Sequence, residues 1–234
     1  MQKRRLIYVL NGLGWFILLL ALVMGRVRDV GLDPGIYLEQ QKKAGIHETA
    51  GISQADLVQL DVNIANYLAG KYDDPNLEIE LGGEMQPAFN ERELAHLADC
   101  RRLFAPTMNL WVNIGMAVAG VGLIMLSKER MITRPVLTAL CIASAAIILP
   151  IAVLGIWAAI DFDSAFAFFH RLLFSNDLWL LNPETDLLIR ICPASMFAHM
   201  GLRIGLQSAA ILLGVPALAA IGYFVEKRRK NNPA

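Results

Sequence analysis

Residues 135–160, with the sequence PVLTALCIASAAIILPIAVLGIWAAI, contain no charged side chain. A helix crosses the hydrocarbon core of a bilayer in about 20 residues, so this stretch is long enough to do so. Three further apolar stretches of similar length follow the same pattern, over residues 6–24, 108–126 and 204–225. Because backbone polar groups inside lipid must bond within their own segment, all four stretches are predicted to be membrane-spanning helices.

The composition of the 234-residue chain supports this prediction. Hydrophobic residues make up 56% of the chain and charged residues 18%, and the mean hydropathy is +0.46. Soluble proteins carry charge on about a quarter of their residues. The first apolar stretch is longer than the core of a cleaved signal peptide and is followed by no clear cleavage site, so it is predicted to be a retained anchor.

Basic residues gather at three places that four helices would bring to one side of the membrane. They are Lys3, Arg4 and Arg5 before the first helix, Lys128, Arg130 and Arg134 between the second and third, and Lys227, Arg228, Arg229 and Lys230 after the fourth. Only Glu129 and Glu226 accompany these ten bases, whereas the remainder of the chain holds eleven bases and nineteen acids. The positive-inside rule therefore predicts that both termini are cytoplasmic.

This topology divides the chain into five segments. Residues 1–24 hold the cytoplasmic N-terminus and the first helix, and residues 108–160 hold the second and third helices with a short cytoplasmic turn. The fourth helix and a basic cytoplasmic tail occupy residues 200–234. Residues 25–107 and 161–199 are then extracytoplasmic, the first as a cap domain and the second as a shorter segment.

The cap is predicted to mix helix and strand. Ser53 is typical of a helix N-cap, and the following apolar residues recur at helical spacing until Gly70. Leu77, Ile79 and Leu81 then alternate with polar residues before two glycines, which predicts a short hairpin. The fold class is accordingly an α-helical integral membrane protein, with four transmembrane helices and a mixed α/β extracytoplasmic cap.

A second cap helix leads towards the second span. Asn90 is its predicted N-cap, with Glu93 in the capping-box position. The helix is expected to continue through Phe104 and to end before Pro106. It carries His96 close to the membrane surface.

The second extracytoplasmic segment is predicted to contain another helix with a histidine. Ser164 is its expected N-cap, and an apolar stripe with the spacing of one helix face follows. The stripe consists of Phe166, Phe169, His170, Leu173 and Phe174. Since His96 and His170 each lie about ten residues from a span, they are expected at similar depth.

The two histidines are the predicted catalytic residues, because an imidazole takes up and returns a proton near neutral pH. The candidates for substrate binding or oxyanion stabilisation are Arg190, Asn176, Trp179, Asp186, Glu93 and Asp99. Several of these residues, and the phenylalanines, also have a purely structural interpretation. Glu93 suits a helix cap, Asp186 and Arg190 have the spacing of an ion pair, and the phenylalanines suit an interfacial aromatic belt.

No metal or other cofactor is predicted. A single Glu93-x-x-His96 lacks the second such motif of a di-iron bundle, and neither a serine nucleophile elbow nor a phosphate loop is present. Cys141 is predicted to be a buried apolar residue within the membrane. Cys100 and Cys192 both lie outside, where the sequence is compatible with a disulfide or with two free thiols.

Two stretches of the sequence resemble motifs of a known bacterial family. They are NERELAHLADCR at residues 90–101 and FHRLLFSNDLWLLNPETDLLIRICP at residues 169–193. The family is that of the lipoprotein intramolecular transacylases, and the resemblance extends over nearly the whole chain, including the four spans. It implies that His96 and His170 are the functional histidines.

The resemblance also implies a reaction. Members of this family are understood to act on bacterial lipoproteins with a diacylglyceryl group on the N-terminal cysteine. They move the sn-2 acyl chain from the glycerol oxygen to the cysteine α-amine, which gives a lyso-form lipoprotein. No cofactor or outside acyl donor takes part. The expected partners are diacylated lipoproteins and membrane lipids, with no nucleic acid, and the expected location is the bacterial cytoplasmic membrane with the active site at the outer leaflet.

Two other functions are compatible with the residues. A non-catalytic lipid- or peptide-binding membrane sensor would depend on the aromatic side chains but not on the histidines. A metal-dependent membrane hydrolase would contain bound metal and would be inactivated by a chelator.

Overall fold

The computed structural model describes residues 2–126 and 133–231, which form ten α-helices and two strands. Helices α1 to α5 are Gln2–Gly31, Pro34–Lys43, Ile46–Ala50, Gln54–Leu68 and Glu91–Met108. Helices α6 to α10 are Leu110–Leu126, Arg134–Ile160, Phe162–Leu173, Leu187–Ile191 and Ala194–Asn231. Strands β1 (Glu78–Leu81) and β2 (Glu84–Pro87) lie between α4 and α5 along the chain.

Four helical segments in the described residues are long and apolar enough to cross a membrane, as predicted. They are Arg5–Gly31, Glu91–Met125, Arg134–Ile160 and Ala194–Asn231. In the second of these, the charged residues belong to α5 and the apolar stretch to α6. Lys128, Glu129 and Arg130, on which the predicted orientation partly depends, lie outside the described residues. The orientation therefore stays a prediction.

The chain divides into two compact units. The first comprises residues 1–26, 110–154 and 204–234, and the second comprises residues 27–109 and 155–203. Most of the apolar helical residues belong to the first unit. Both histidine motifs belong to the second.

The first unit has a core of aliphatic side chains from three spans. Leu19 on α1, Leu140 on α7 and Leu212 on α10 are each 0–1% exposed. Lipid tails are as apolar as these side chains, so the helices associate through close packing rather than by escape from water. The closest approach is at Gly14 and Gly120, where a Cβ on either glycine would lie 2.8 Å from the carbonyl oxygen of the other.

Cys141 is exposed on the surface of α7, so the prediction that it is buried was wrong. The reason is that α7 is apolar on all sides. Such a helix has no polar stripe to indicate which face packs and which meets lipid.

The second unit has its own hydrophobic core, built around Leu57 and Leu60 of α4, Ile79 of β1, Phe89 and Ile191. The N-cap predicted for α4 is confirmed, since the Ser53 side chain accepts a hydrogen bond from the amide of Asp56. The short α2 and α3 helices were not predicted, because their few residues leave little periodic pattern.

The predicted hairpin is also confirmed. Strands β1 and β2 pair antiparallel, with Leu81 opposite Glu84 and Ile79 opposite Gln86. The two connecting residues, Gly82 and Gly83, have φ angles of 67° and 90°. Two successive positive φ angles suit the right-handed twist of a tight hairpin and favour glycine at both positions.

Helix α5 does not stop before Pro106 as predicted but continues to Met108. A proline removes one backbone donor, yet its own φ angle is compatible with a helix. In the last turn of α5, the loss of this one backbone donor does not end the helix.

The packing in the first unit predicts that Gly120→Leu destabilises the protein, whereas Gly122→Leu does not. A side chain at residue 120 would collide with the backbone of α1, and overpacking of this kind costs about 1–3 kcal/mol or more. Gly122 lies on the same helix with open space at its Cβ position, so it serves as the matched control. Thermal unfolding in detergent measures the difference. Equal midpoints for the two variants would contradict this packing.

Candidate functional site

Helix α5, which carries His96, begins at a buried carboxylate. Glu93 is 1% exposed. Its Oε2 accepts a hydrogen bond from the Asn90 amide at 2.8 Å, and its Oε1 accepts one from the Leu188 amide at 2.6 Å. Burial raises the pKa of Glu93, and the hydrogen bonds from Leu188 and Asn90 oppose that shift. Glu93 therefore completes the predicted capping box and also binds the first turn of α9.

Asp186 has a similar structural role beside it. It is 4% exposed and accepts hydrogen bonds from Asn90 Nδ2 at 2.9 Å, the Asn182 amide at 2.8 Å and Thr185 Oγ1 at 3.0 Å. Among the described residues it forms no ion pair with Arg190, so the pairing suggested by their spacing is wrong. Asp186 precedes α9 with an extended backbone, and the i, i+4 geometry requires both residues to be helical.

Helix α8 positions the second histidine. Its N-cap is Asp161, whose Oδ1 accepts a hydrogen bond from the Ser164 amide at 3.0 Å. The predicted cap at Ser164 was therefore wrong, because an equally good cap three residues earlier starts the helix sooner. His170 lies in the last turn of α8 and is 9% exposed.

A hydrogen bond fixes the tautomer of His170. Its Nδ1 lies 2.8 Å from the carbonyl oxygen of Phe166, one helical turn earlier. A carbonyl only accepts, so Nδ1 must carry the proton. The lone pair of the neutral ring is then on Nε2, which is the nitrogen available to act as a base.

The two histidines, for which only a similar depth in the membrane was predicted, lie next to each other in the second unit. The ring centroids of His96 and His170 are 6.1 Å apart. The Phe174 ring contacts both, with its centroid 5.4 Å from that of His96 and 5.7 Å from that of His170. His96 is 8% exposed, so both imidazoles are nearly enclosed by the second unit.

Aromatic rings surround His170 on further sides. The ring centroids of Phe166, Trp179 and Phe169 lie 4.2, 5.0 and 5.8 Å from that of His170. Trp179 therefore contacts one of the predicted catalytic residues. Such an apolar surround keeps water from the imidazole and lowers the local dielectric constant.

This environment favours the neutral form of both imidazoles. Burial lowers the pKa of His96 to about 4, with a smaller lowering from the neighbouring charge of His170 and an opposing effect from Asp99. Burial also lowers the pKa of His170, against the opposing hydrogen bond to the Phe166 carbonyl. At neutral pH both histidines are therefore uncharged.

A polar pocket adjoins the histidines. Asp99, Arg102, Ser175 and Asn176 contribute its polar lining, and Phe174 is common to the pocket and the histidine pair. Asn176 Nδ2 donates a hydrogen bond to Asp99 Oδ2 at 2.7 Å, and Arg102 forms an ion pair with the other carboxylate oxygen. Two of the predicted substrate-binding candidates, Asp99 and Asn176, are thus hydrogen-bonded to each other.

Arg190 is not brought to the histidines. In the part of the chain that the structure describes, it makes no hydrogen bond or ion pair with His96 or His170, and its buried Nε has no hydrogen-bond partner. Arg92 was not among the predicted site residues. Its Nη2 donates to the carbonyl oxygens of Asp177 at 2.6 Å and Leu180 at 3.0 Å. Arg92 thereby holds the loop that carries Trp179.

The thiols near the site are free. Cys100 and Cys192 do not form a disulfide. The Cys100 sulfur lies 3.7 Å from His96 Nε2 and 4.0 Å from Nδ1. Because burial raises the pKa of the Cys100 thiol to about 12, it remains protonated at neutral pH and is a poor nucleophile.

Comparison with solved structures identifies the same fold in a protein of known class. The membrane-integral lipoprotein intramolecular transacylase Lit from Bacillus cereus matches with a TM-score of 0.69 at 24% identity, over 98% of this chain and 99% of that chain. Variants of that protein with a histidine-to-arginine and a histidine-to-alanine mutation match with TM-scores of 0.66 and 0.64, at 24% and 23% identity. They cover 99% of this chain, and 96% and 97% of their own. No curated protein matches the chain.

The family assignment comes from the sequence. The family model described as lipoprotein intramolecular transacylase Lit matches residues 12–197, which is well over half of the chain. This match confirms the resemblance seen in the two histidine motifs. The protein therefore belongs to the lipoprotein intramolecular transacylase Lit family and is a multi-pass membrane protein of the acyltransferase class.

Proposed function

We propose that this protein transfers the sn-2 acyl chain of a diacylglyceryl lipoprotein to the α-amine of the N-terminal cysteine. The amine nitrogen attacks the ester carbonyl carbon and a tetrahedral oxyanion forms. When the intermediate collapses, the bond to the glycerol oxygen breaks and that oxygen takes up a proton. The products are an amide at the cysteine and a free hydroxyl on the glycerol, so no outside donor is consumed.

The adjacent pair of neutral histidines carries this proposal. His170 acts as the base, because its Nδ1 is bonded to the Phe166 carbonyl and its Nε2 is left to accept the proton of the attacking amine. The same nitrogen then returns that proton to the departing glycerol oxygen. A histidine with a lowered pKa is unprotonated when the amine arrives.

His96 stabilises the oxyanion as the second member of the pair. Its ring centroid is 6.1 Å from that of His170, which is close enough for one reacting carbonyl to meet both side chains. Donors of this kind are worth about 10²–10³ in rate. Arg190 is a weaker candidate for this role, since among the described residues it makes no hydrogen bond or ion pair with either histidine.

Orientation and exclusion of water supply the remaining catalysis. The amine and the ester belong to one substrate, so holding them together can contribute about 7–11 kcal/mol. Phe166, Phe174 and Trp179 border the imidazole where the acyl carbonyl would lie. They favour attack by the amine over attack by water.

The polar pocket suits the head of the same substrate. The Asp99 carboxylate, held by Asn176 and Arg102, attracts a cationic amine, while Ser175 and Asn176 offer hydrogen bonds to a peptide backbone. The single ring of Phe174 lies between this polar lining and the imidazoles, and it borders both. We place the site at the outer leaflet with both termini cytoplasmic, on the strength of the basic residues at one side of the four spans.

His170→Asn is expected to abolish acyl transfer while leaving the protein folded. Asparagine retains a donor for the Phe166 carbonyl but has no titratable nitrogen, so the base is lost and the rate falls by at least about 10²-fold. The matched control is His47→Asn, because the His47 side chain is 43% exposed and its ion-pair partner among the described residues is Glu48. Mass spectrometry of N-acylated lipopeptide measures the product. Full acyl transfer in His170→Asn would contradict the assignment of His170 as the base. Absence of N-acylated product with the unmodified protein, together with lipopeptide binding that is lost in Trp179→Ala, would favour a lipid- or peptide-binding sensor instead.

Phe174→Ala is expected to shift the reaction from transfer to hydrolysis. Removing the ring that contacts both histidines admits water to the activated ester. The measurement is the ratio of free fatty acid to N-acylated product. Phe168→Ala is the control, since that ring is 45% exposed and contacts Trp157 rather than a histidine. An unchanged ratio in both variants would contradict a water-excluding role.

The lowered pKa of His96 predicts a specific loss of stability in acid. The unfolded chain gains a proton on this histidine below about pH 6.5, while the folded protein resists protonation until about pH 4. The free energy of unfolding should therefore fall by a few kcal/mol as pH decreases through this interval. His96→Phe should flatten the decline and His47→Phe should not. Identical pH profiles of thermal stability for His96→Phe and the unmodified protein would refute the shift.

A further inference from the structure

The second unit contains a buried carboxyl group that the proposed reaction does not use. Asp61 on α4 is 1% exposed, and Gln41 on α2 is 0% exposed. The Nε2 atom of Gln41 donates hydrogen bonds to Asp61 Oδ1 and to the carbonyl oxygen of Ile191, each at 2.9 Å. Ile191 is the last residue of α9. Gln41, Asp61 and the Ile191 carbonyl therefore form a buried junction between α2, α4 and α9.

Asp61 lacks the partners that a buried carboxylate requires. Its Oδ2 atom is buried and has no hydrogen-bond partner among the described residues. In the same part of the chain, Gln41 is its single hydrogen-bond donor, and no lysine or arginine forms an ion pair with it. A buried charge is stable only with an opposite charge or several donors around it. The geometry therefore favours the neutral carboxylic acid.

The titratable groups that face Asp61 from α2 and α9 supply no positive charge. They are Tyr37 on α2 and Cys192, the residue after α9. Burial raises the pKa of both groups, and the charge of Asp61 raises each of them further. Tyr37 and Cys192 are therefore neutral at neutral pH and do not stabilise an ionised Asp61.

Helix α5 also packs against α4, and its charged groups have other partners. The Arg101 guanidinium lies over the Tyr67 ring and pairs with Asp73. Glu93 and Cys100 influence the pKa of Cys192 but add no positive charge. No element packed on α4 in the described residues therefore provides a counter-ion for Asp61.

The consequence is that Asp61 and the unfolded chain release the same proton at different pH. Burial raises the pKa of Asp61 from its ordinary value of 3.8 to about 7, and the bond from Gln41 opposes this shift. Between about pH 4 and about pH 7, the folded protein keeps a proton that the unfolded chain has lost. Folding therefore becomes less favourable as pH rises through this interval, and the loss is complete above about pH 7.

We propose that Asp61 is a pH-sensitive switch, which joins α2, α4 and α9 as a neutral acid and weakens their junction when it ionises. Helix α9 is held at both ends, by Glu93 at Leu188 and by Gln41 at Ile191. Ionisation of Asp61 loosens the second of these attachments. The switch does not depend on the proposed acyl transfer, and neither of its tests uses that activity.

Thermal unfolding of the full-length protein in detergent tests the switch through Asp61→Asn. An amide keeps the acceptor for Gln41 and cannot ionise, so this variant should unfold several degrees above the unmodified protein at about pH 7. The difference should disappear towards about pH 4. His96 acts in the opposite sense over this interval, but both proteins retain it, so it cancels from the difference. Asp73→Asn is the control, because the Asp73 side chain is fully exposed.

Hydrogen exchange at residues 188–192 locates the effect in α9. Comparing the two proteins at the same pH cancels the pH dependence of chemical exchange. From about pH 4 to about pH 7, protection in the unmodified protein should fall by up to about tenfold per pH unit relative to Asp61→Asn. Parallel pH profiles of the two proteins would overturn the proposal. Failure of Asp61→Asn to fold would also overturn it, because an amide replaces a neutral acid here but not a required carboxylate.

Discussion

The buried carboxylate of Glu93 is the constraint on which the site depends. One of its oxygens accepts a hydrogen bond from the Asn90 amide and caps α5. The other accepts one from the Leu188 amide at the start of α9, so Glu93 joins parts of the chain that are 95 residues apart. Burying a carboxylate is costly, but backbone amides at helix N-termini are the donors that compensate best. Loss of the bond to Leu188 would leave a buried donor unpaired, at a cost of about 1–3 kcal/mol. Helix α5 is thereby held where His96 meets His170.

The rest of the site follows from holding these helices together. Arg92, one residue before Glu93, fastens the loop that presents Trp179 to His170. The aromatic rings that enclose the imidazoles also keep them neutral, since burial is the largest cause of both lowered pKa values. One arrangement therefore gives a base ready to accept a proton and a surround that excludes competing water. This arrangement requires that polar groups, each with a hydrogen-bond partner, are buried inside a small cap.

The sequence predicts the features that depend on local patterns. The four spans follow from length and hydropathy, and the caps at Ser53 and Asn90 follow from side chains that reach their own helix. Features that depend on tertiary contacts were harder to predict from the sequence. Spacing suggested an ion pair for Asp186, whereas the structure gives it amide and hydroxyl partners from outside α9. The lipid-facing side of α7, and hence the exposure of Cys141, depends on neighbouring helices that no periodicity reveals.

The proposed function requires that an acyl chain migrate within one lipoprotein at the paired histidines. The most direct measurement is tandem mass spectrometry of lipopeptides from a host that makes only diacylglyceryl lipoproteins, with and without this protein. Acyl transfer within one molecule leaves the total mass unchanged, and the fragment ions should show one acyl chain moved from the glycerol to the cysteine nitrogen. Lipopeptides whose fragment ions stay unchanged, although folded protein is present in the membrane, would contradict it.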